Sequence, residues 1–430
     1  MRAGEAGQGA GGNGQAQQHE RAWGVLLGAS LCIFCGQASV AYYTFGVFLP
    51  DIIADTGWPA ATVAAAIGPG ALVAAIMAPL VGLLGDRYGA RMVALAGAPA
   101  FALGFAVLGL LPRSPAGFAV AMIVMWGLIA AGSPVPYAQM LSGWFDRRRG
   151  MALSVMFSAG SIGIAVWPPF AAFLITRMGW RHAYATIGLC AATLILLSGI
   201  LLLRKPKAAM AGGTDARTLP GLSVREAVRT GRFWKISVIF LAVTAVLGGT
   251  AVTFPVILRT HGADPQLGAL AMTVIGLAMF TGRLSLSLVL DRYFAPYVTV
   301  AITAIAFLAF MVMLIGTSKA ALLVAAALLG FGLGSEYAVT AYIVSRAFGI
   351  RAFGAVYGLV TAAVSVGAAI GPAAIGAALL SSVDPVVISL SAMGVLGAAI
   401  LMLFTMRSRD LPFEVHRLSA GQRINLAPDF

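Results

Sequence analysis

The chain has 430 residues, is 60% hydrophobic and only 10% charged, with a formal net charge of +13. Soluble domains carry about 25% charged residues, so this composition cannot clothe a water-facing surface over such a length and points to lipid as the solvent. The positive excess would suggest nucleic acid in a soluble protein. Here it is read instead as basic loops on the cytoplasmic side of a membrane, with no nucleic-acid partner.

Residues 1–22 are rich in Gly, Gln and Ala without periodicity and read as a disordered cytoplasmic tail. The first apolar run is too long for a signal peptide and has no cleavage site. A hydrocarbon core of about 30 Å needs about 20 apolar residues per helix. Six such runs fit residues 23–203: Trp23–Pro50, Ala61–Leu84, Met92–Leu111, Ala116–Gly143, Met151–Ile175 and Ala183–Leu203. Residues 204–232 form a polar cytoplasmic linker whose end, LSVREAVRTGRFW, reads as either an interfacial helix or a solvated patch. Six more runs fill residues 233–406: Phe233–Leu258, Leu267–Leu290, Pro296–Gly316, Ala320–Val344, Phe353–Leu380 and Pro385–Met406. Residues 407–430 are a second cytoplasmic tail.

With the N-terminus placed inside, 22 Lys and Arg fall on the cytoplasmic side and 5 on the other. This asymmetry predicts an inner-membrane protein with both termini in the cytoplasm. Cys32 and Cys35 form a CxxC inside an apolar run and read as packing residues. His19, His182, His261 and His416 fall in expected tails or loops without metal spacing, and no metal or cofactor is implied.

The two sets of spans match at an offset of 204–205 residues. DRY at Asp86–Tyr88 recurs at Asp291–Tyr293, SIG at Ser161–Gly163 recurs as SVG at Ser365–Gly367, Gly150 answers Gly354, and Pro168 answers Pro372. An even number of spans per copy makes the halves parallel. The expected fold is therefore an all-α membrane protein with twelve helices in two parallel six-helix halves and a solute site between them.

One cation, Arg283, and one acid, Glu336, lie deep in spans, roughly 12 Å and 15 Å from the cytoplasmic ends. Charges at such depth cost several kcal/mol and are functional by default. The repeat sets Ala78 opposite Arg283 and Gly132 opposite Glu336, so the duplicated fold needs neither charge. Arg283 is suited to binding an anionic solute, and Glu336 to carrying a proton. A permanent Arg283–Glu336 ion pair is the competing reading. Polar groups available to line a cavity include Gln37, Tyr42, Tyr43, Thr44, Ser133, Tyr137, Gln139, Tyr337, Thr340, Tyr342, Tyr357, Thr361 and Ser365.

GLLGDRYGAR, Gly82 to Arg91, resembles the signature loop of the major facilitator superfamily. YYTFGVFLP with TGWPAATVAAA, WFDRRRGMALSVMFSAGSIG and GSEYAVTAYIVSRAFGIRAFGAVYG resemble its monocarboxylate porter branch, which includes oxalate–formate exchangers. The resemblance implies a transporter of small carboxylates, often taken up with a proton, and not an enzyme. It implies a gating role for Asp86, Arg87 and Arg91, with Asp291 and Arg292 as the second copy, and a carboxylate-binding role for Arg283. The chain departs from the pattern at three places. Met279 stands where proton-coupled members carry aspartate, and neither Trp23–Pro50 nor Phe353–Leu380 contains lysine. One deep cation favours one carboxylate over two, and Glu336 remains as the group to supply proton coupling. No Walker-type loop occurs, so a gradient must drive transport. Exchange or export of an organic anion is the alternative, and a transporter-like sensor a remote one. The solute's identity and the oligomeric state are not legible.

Overall fold

The computed structural model describes residues 21–59, 62–63, 66–110, 113–204, 220–260, 265–316, 318–381 and 383–413. The expected tails up to residue 20 and from 414, the middle of the linker, His19, His261 and His416 lie outside the described residues. Helix follows helix: α1 (Arg21–Thr56), α2 (Ile67–Tyr88), α3 (Ala90–Leu110), α4 (Pro115–Trp144), α5 (149–178) and α6 (180–201). A five-residue helix, Val224–Val228, then leads into α7 (Gly231–Thr260), α8 (Pro265–Val289), α9 (Ala295–Ile315), α10 (Lys319–Phe348), α11 (Phe353–Leu380) and α12 (Pro385–Phe404). Among the described residues eleven helical runs are long and apolar enough to cross a bilayer, one of them the 53-residue run that holds α5 and α6. Their outer faces carry Ile76, Leu277 and Leu401, each about two-thirds exposed, as lipid-facing helices require.

Capping explains several starts. Ser114 and Ser318 accept backbone N–H groups ahead of α4 and α10, Asp384 does so ahead of α12, and Pro follows at the start of α4 and α12. The short Val224–Val228 helix has a full capping box, Ser223 with Glu226.

Three helices depart from the expected runs. The expected loop between the fifth and sixth spans is reduced to a kink: two helices within residues 149–201 meet at Gly179, whose backbone is not helical (φ 73°, ψ 162°). One glycine in a region closed to other residues redirects the chain, so His182 is helical rather than in a loop. In α4 a 3-10 turn at Ile129–Gly132 precedes Ser133 and Pro134, because proline cannot continue the hydrogen-bond ladder. In α1 a break at Cys35–Gly36 leads into a π-helical turn, Ala38–Tyr42.

Helices α1–α6 and α7–α12 form two bundles that meet chiefly along α2 with α11 and α5 with α8. The backbones of α2 and α11 touch: a Cβ on Gly358 would lie 2.5 Å from the Ala78 carbonyl. Small residues allow this approach, which apolar side chains in lipid would not drive.

Replacing Gly179 with alanine is expected to lower thermal stability in detergent by about 1–3 kcal/mol. Nothing lies within 4 Å of the added Cβ, so the cost is conformational alone. An unchanged melting temperature would contradict this account of the kink.

Candidate functional site

Arg283 lies on α8, at the seam with α5, and is only 7% exposed. Its Nε donates to the Gly334 carbonyl of α10 at 3.0 Å. Its Nη1 donates to the Phe157 carbonyl at 3.0 Å and to Ser161 Oγ at 2.5 Å, both on α5 of the other half. A guanidinium carries five N–H donors. Three are answered here, and both that remain are on Nη2. No carboxylate pairs with Arg283 among the described residues.

Around it stand aromatic rings. Tyr43 and Tyr337 lie within electrostatic range of the guanidinium, and Tyr337 within range of Tyr42 as well. The Phe157 and Tyr337 rings are 6.0 Å apart, and those of Tyr42 and Tyr43 5.4 Å apart and nearly perpendicular. Tyr42 and Tyr43 each keep 39% of their surface accessible, and both lie near Tyr337.

Glu336 does not pair with Arg283. It is 4% exposed and bonded through Oε1 to the Thr244 hydroxyl of α7. Its Oε2 has no hydrogen-bond partner among the described residues, and Tyr357, beside Thr361, lies nearby. The ion pair that the sequence left open is therefore absent.

The remaining polar residues divide between other places. Tyr137 is fully buried against Cys32 inside the first half. Gln139 lies at the end of the bundle that carries Asp86, and its Nε2 donates to Asp86 Oδ1 at 2.5 Å. Neither is brought beside Arg283.

At that same end the halves are fastened reciprocally. Asp86, at the end of α2, accepts the N–H of Gly354 at 3.0 Å and of Ala355 at 2.8 Å, where α11 begins. Asp291, just past α8, accepts the N–H of Gly150 at 2.7 Å and of Met151 at 2.8 Å, where α5 begins. Each carboxylate meets the unpaired donors and positive dipole end of a helix in the opposite half. Burial raises the Asp291 carboxyl above the ordinary aspartate range, and the two N–H donors, with Arg346 and Arg149 nearby, oppose that rise. A third fastening has no copy: Arg346 at the end of α10 reaches Asp146 of the first half at 2.7 Å.

Of the expected gate cations, Arg91 donates to the Gly199 and Ile200 carbonyls within its own half, and Arg87 lies over the Tyr88 ring. Neither these nor Arg292 forms an ion pair across the halves among the described residues; helix ends take that place. Sequence reasoning passed over Thr244 and the Asp146–Arg346 pair, which join residues distant in the chain. Ser161 carried a signal, its place in the repeated SIG.

Residues 29–372 match the model of the Major Facilitator Superfamily. The chain is 24% identical over 350 residues to the uncharacterized MFS-type transporter YhjX of Escherichia coli, covering 79% of this chain and 83% of that one. It is 27% identical over 375 residues to monocarboxylate transporter 11 of Mus musculus, covering 81% and 80%. The solved structure of the human organic anion transporter MFSD10 (TETRAN) superposes with a TM-score of 0.68 at 17% identity, over 90% of this chain and 99% of that one.

Each carboxylate–helix contact uses charge-assisted bonds worth about 1.5–3 kcal/mol apiece. Asp86→Asn with Asp291→Asn is expected to open this end. Maleimide labelling of an Ala78→Cys reporter in a chain without its native cysteines should quicken by at least about fivefold. Unchanged labelling would show that the two aspartates do not hold the halves.

Proposed function

The chain belongs to the Major Facilitator Superfamily, and on that premise we propose that it carries a small organic anion, a monocarboxylate, across the inner membrane by alternating access in symport with a proton. The observation that carries this reading is the state of Arg283: a permanently charged group, without an acidic partner among the described residues, whose two unanswered N–H donors sit on one nitrogen at the seam between the halves. A buried cation without a counter-ion is costly, and a bound carboxylate removes that cost while gaining charge-assisted hydrogen bonds.

Proton coupling is supported by the surroundings of Glu336. The Thr244 hydroxyl has one proton and two oxygens in reach, the Phe240 carbonyl at 2.7 Å and the Glu336 carboxyl. When the carbonyl takes that proton, Glu336 meets Thr244 as a donor, in its protonated form. The end carrying Asp86 and Asp291 is the one the arginine-rich loops assign to the cytoplasm. On this reading the bundle, closed at that end, is outward-facing, and Tyr42, Tyr43 and Arg283 await the solute. Its arrival answers Nη2, and passage inward then requires the aspartate–helix contacts to part.

Uptake of radiolabelled monocarboxylate into proteoliposomes under a pH gradient tests this. Arg283→Ala is expected to reduce uptake about 100-fold. Arg283→Lys, which keeps the charge but has three donors in place of five to share between the protein acceptors and the solute, should reduce it about tenfold. Glu336→Gln should abolish acceleration by the pH gradient while sparing carboxylate exchange. Full uptake by Arg283→Ala would refute the anion assignment. Gradient-driven uptake by Glu336→Gln equal to that of the parent would remove the proton role.

A further inference from the structure

Consecutive residues of an α-helix point about 100° apart, so two adjacent side chains do not ordinarily share one cavity wall. Tyr42 and Tyr43 are adjacent, yet both are 39% exposed and both lie within electrostatic range of Tyr337. The π-helical turn Ala38–Tyr42 immediately precedes Tyr43 and widens the helix there. Such turns are rare and concentrate at functional sites. This one brings two rings together, 5.4 Å apart at 79°, near Tyr337.

We propose that the site selects monocarboxylates with an aromatic body over two- and three-carbon hydroxy and keto acids, and that Tyr42 and Tyr43 set this preference. The proposal rests on the reading that Arg283 takes the carboxylate. Three features of the site lead to it. With Nε and Nη1 spent on the protein, Nη2 alone meets the anion, so the carboxylate binds end-on and its body extends away from α8. Arg149 and Arg346, also buried, belong to the fastening around Asp146, which leaves a second carboxylate without a cation here. On the first-half side, Tyr42 and Tyr43 lie near Tyr337 with part of their ring surface accessible, in an edge-to-face pair that accommodates a third ring. The solute then bridges the halves, its charge held by α8 of one and its ring by α1 of the other, so binding itself draws the two together.

The test compares binding of benzoate, phenylacetate, pyruvate and lactate to the purified full chain in detergent by calorimetry. Benzoate and phenylacetate are expected to bind at least about tenfold more tightly than pyruvate and lactate. Tyr42→Ala with Tyr43→Ala should bring the ratio of benzoate to pyruvate affinity towards one. Tyr42→Phe with Tyr43→Phe, which keeps both rings, should retain it. Should the alanine pair not fold, the pair Tyr42→Leu and Tyr43→Leu gives the same readout. Equal affinities in the parent chain, with both ligands lost in Arg283→Ala, would overturn the aromatic preference and leave the anion reading standing. Survival of the preference in the alanine or leucine pair would overturn its assignment to the tyrosines. Binding of none of the four, or binding that survives Arg283→Ala, would overturn both readings.

Discussion

A guanidinium taken out of water must have its N–H groups answered, and Arg283 answers only three of its five from within the protein. The three partners come from both halves: Gly334 on α10, and Phe157 and Ser161 on α5. The side chain is thus fixed in direction, and the nitrogen left over keeps both of its N–H donors. Orientation of this kind limits what can bind more than charge alone does, because a flexible ammonium would accept an anion from many sides. The duplicated fold explains why such a residue is tolerated. The scaffold is already built twice, and the copy that has Ala78 at the corresponding place shows that packing does not call for an arginine there.

Around that fixed point the halves are joined by a different kind of contact. Asp86 and Asp291 each cap a helix that begins in the opposite half, at positions related by the same offset that relates their sequences. These contacts combine hydrogen bonds with the helix dipole and need no partner side chain. The Asp146–Arg346 pair reinforces them on one side only, and its aspartate is largely in solvent, so its share is small. Closure is thereby concentrated at one end of the bundle, while the tyrosines of α1 stay accessible. Fastening and proposed solute site meet on the same two helices: α5 carries Gly150 and Phe157, and α8 carries Arg283 and leads directly to Asp291. A change at Arg283 is mechanically close to one of the two aspartate contacts.

Much of the fold was legible because lipid imposes length and composition on every span, and because the repeat is carried by conspicuous residues such as Asp86 and Asp291. Arg283 and Glu336 stood out as charges where charge is expensive. What escaped was whatever depended on local backbone geometry or on which face a side chain takes. Gly179 replaces a whole expected loop with one unusual backbone conformation. Tyr137 and Gln139, two residues apart in α4, turn to the first-half core and to the Asp86 contact. A count of polar residues per span does not separate them from Tyr43 or Tyr337. The π-helical turn in α1 has no sequence signature comparable to a proline, so the convergence of Tyr42 and Tyr43 emerged only in three dimensions. The resemblance gave the cationic residues of the signature loops a gating role, whereas the contacts that Asp86 and Asp291 make across the halves join a carboxylate to bare backbone.

The central claim is that Nη2 of Arg283 receives the solute's carboxylate between the halves. An experimental structure of the protein saturated with benzoate tests it directly. The account predicts a carboxylate oxygen within hydrogen-bonding distance of Nη2, with the ring against Tyr42 and Tyr43. A carboxylate held elsewhere, with Nη2 turned from it, would contradict the account.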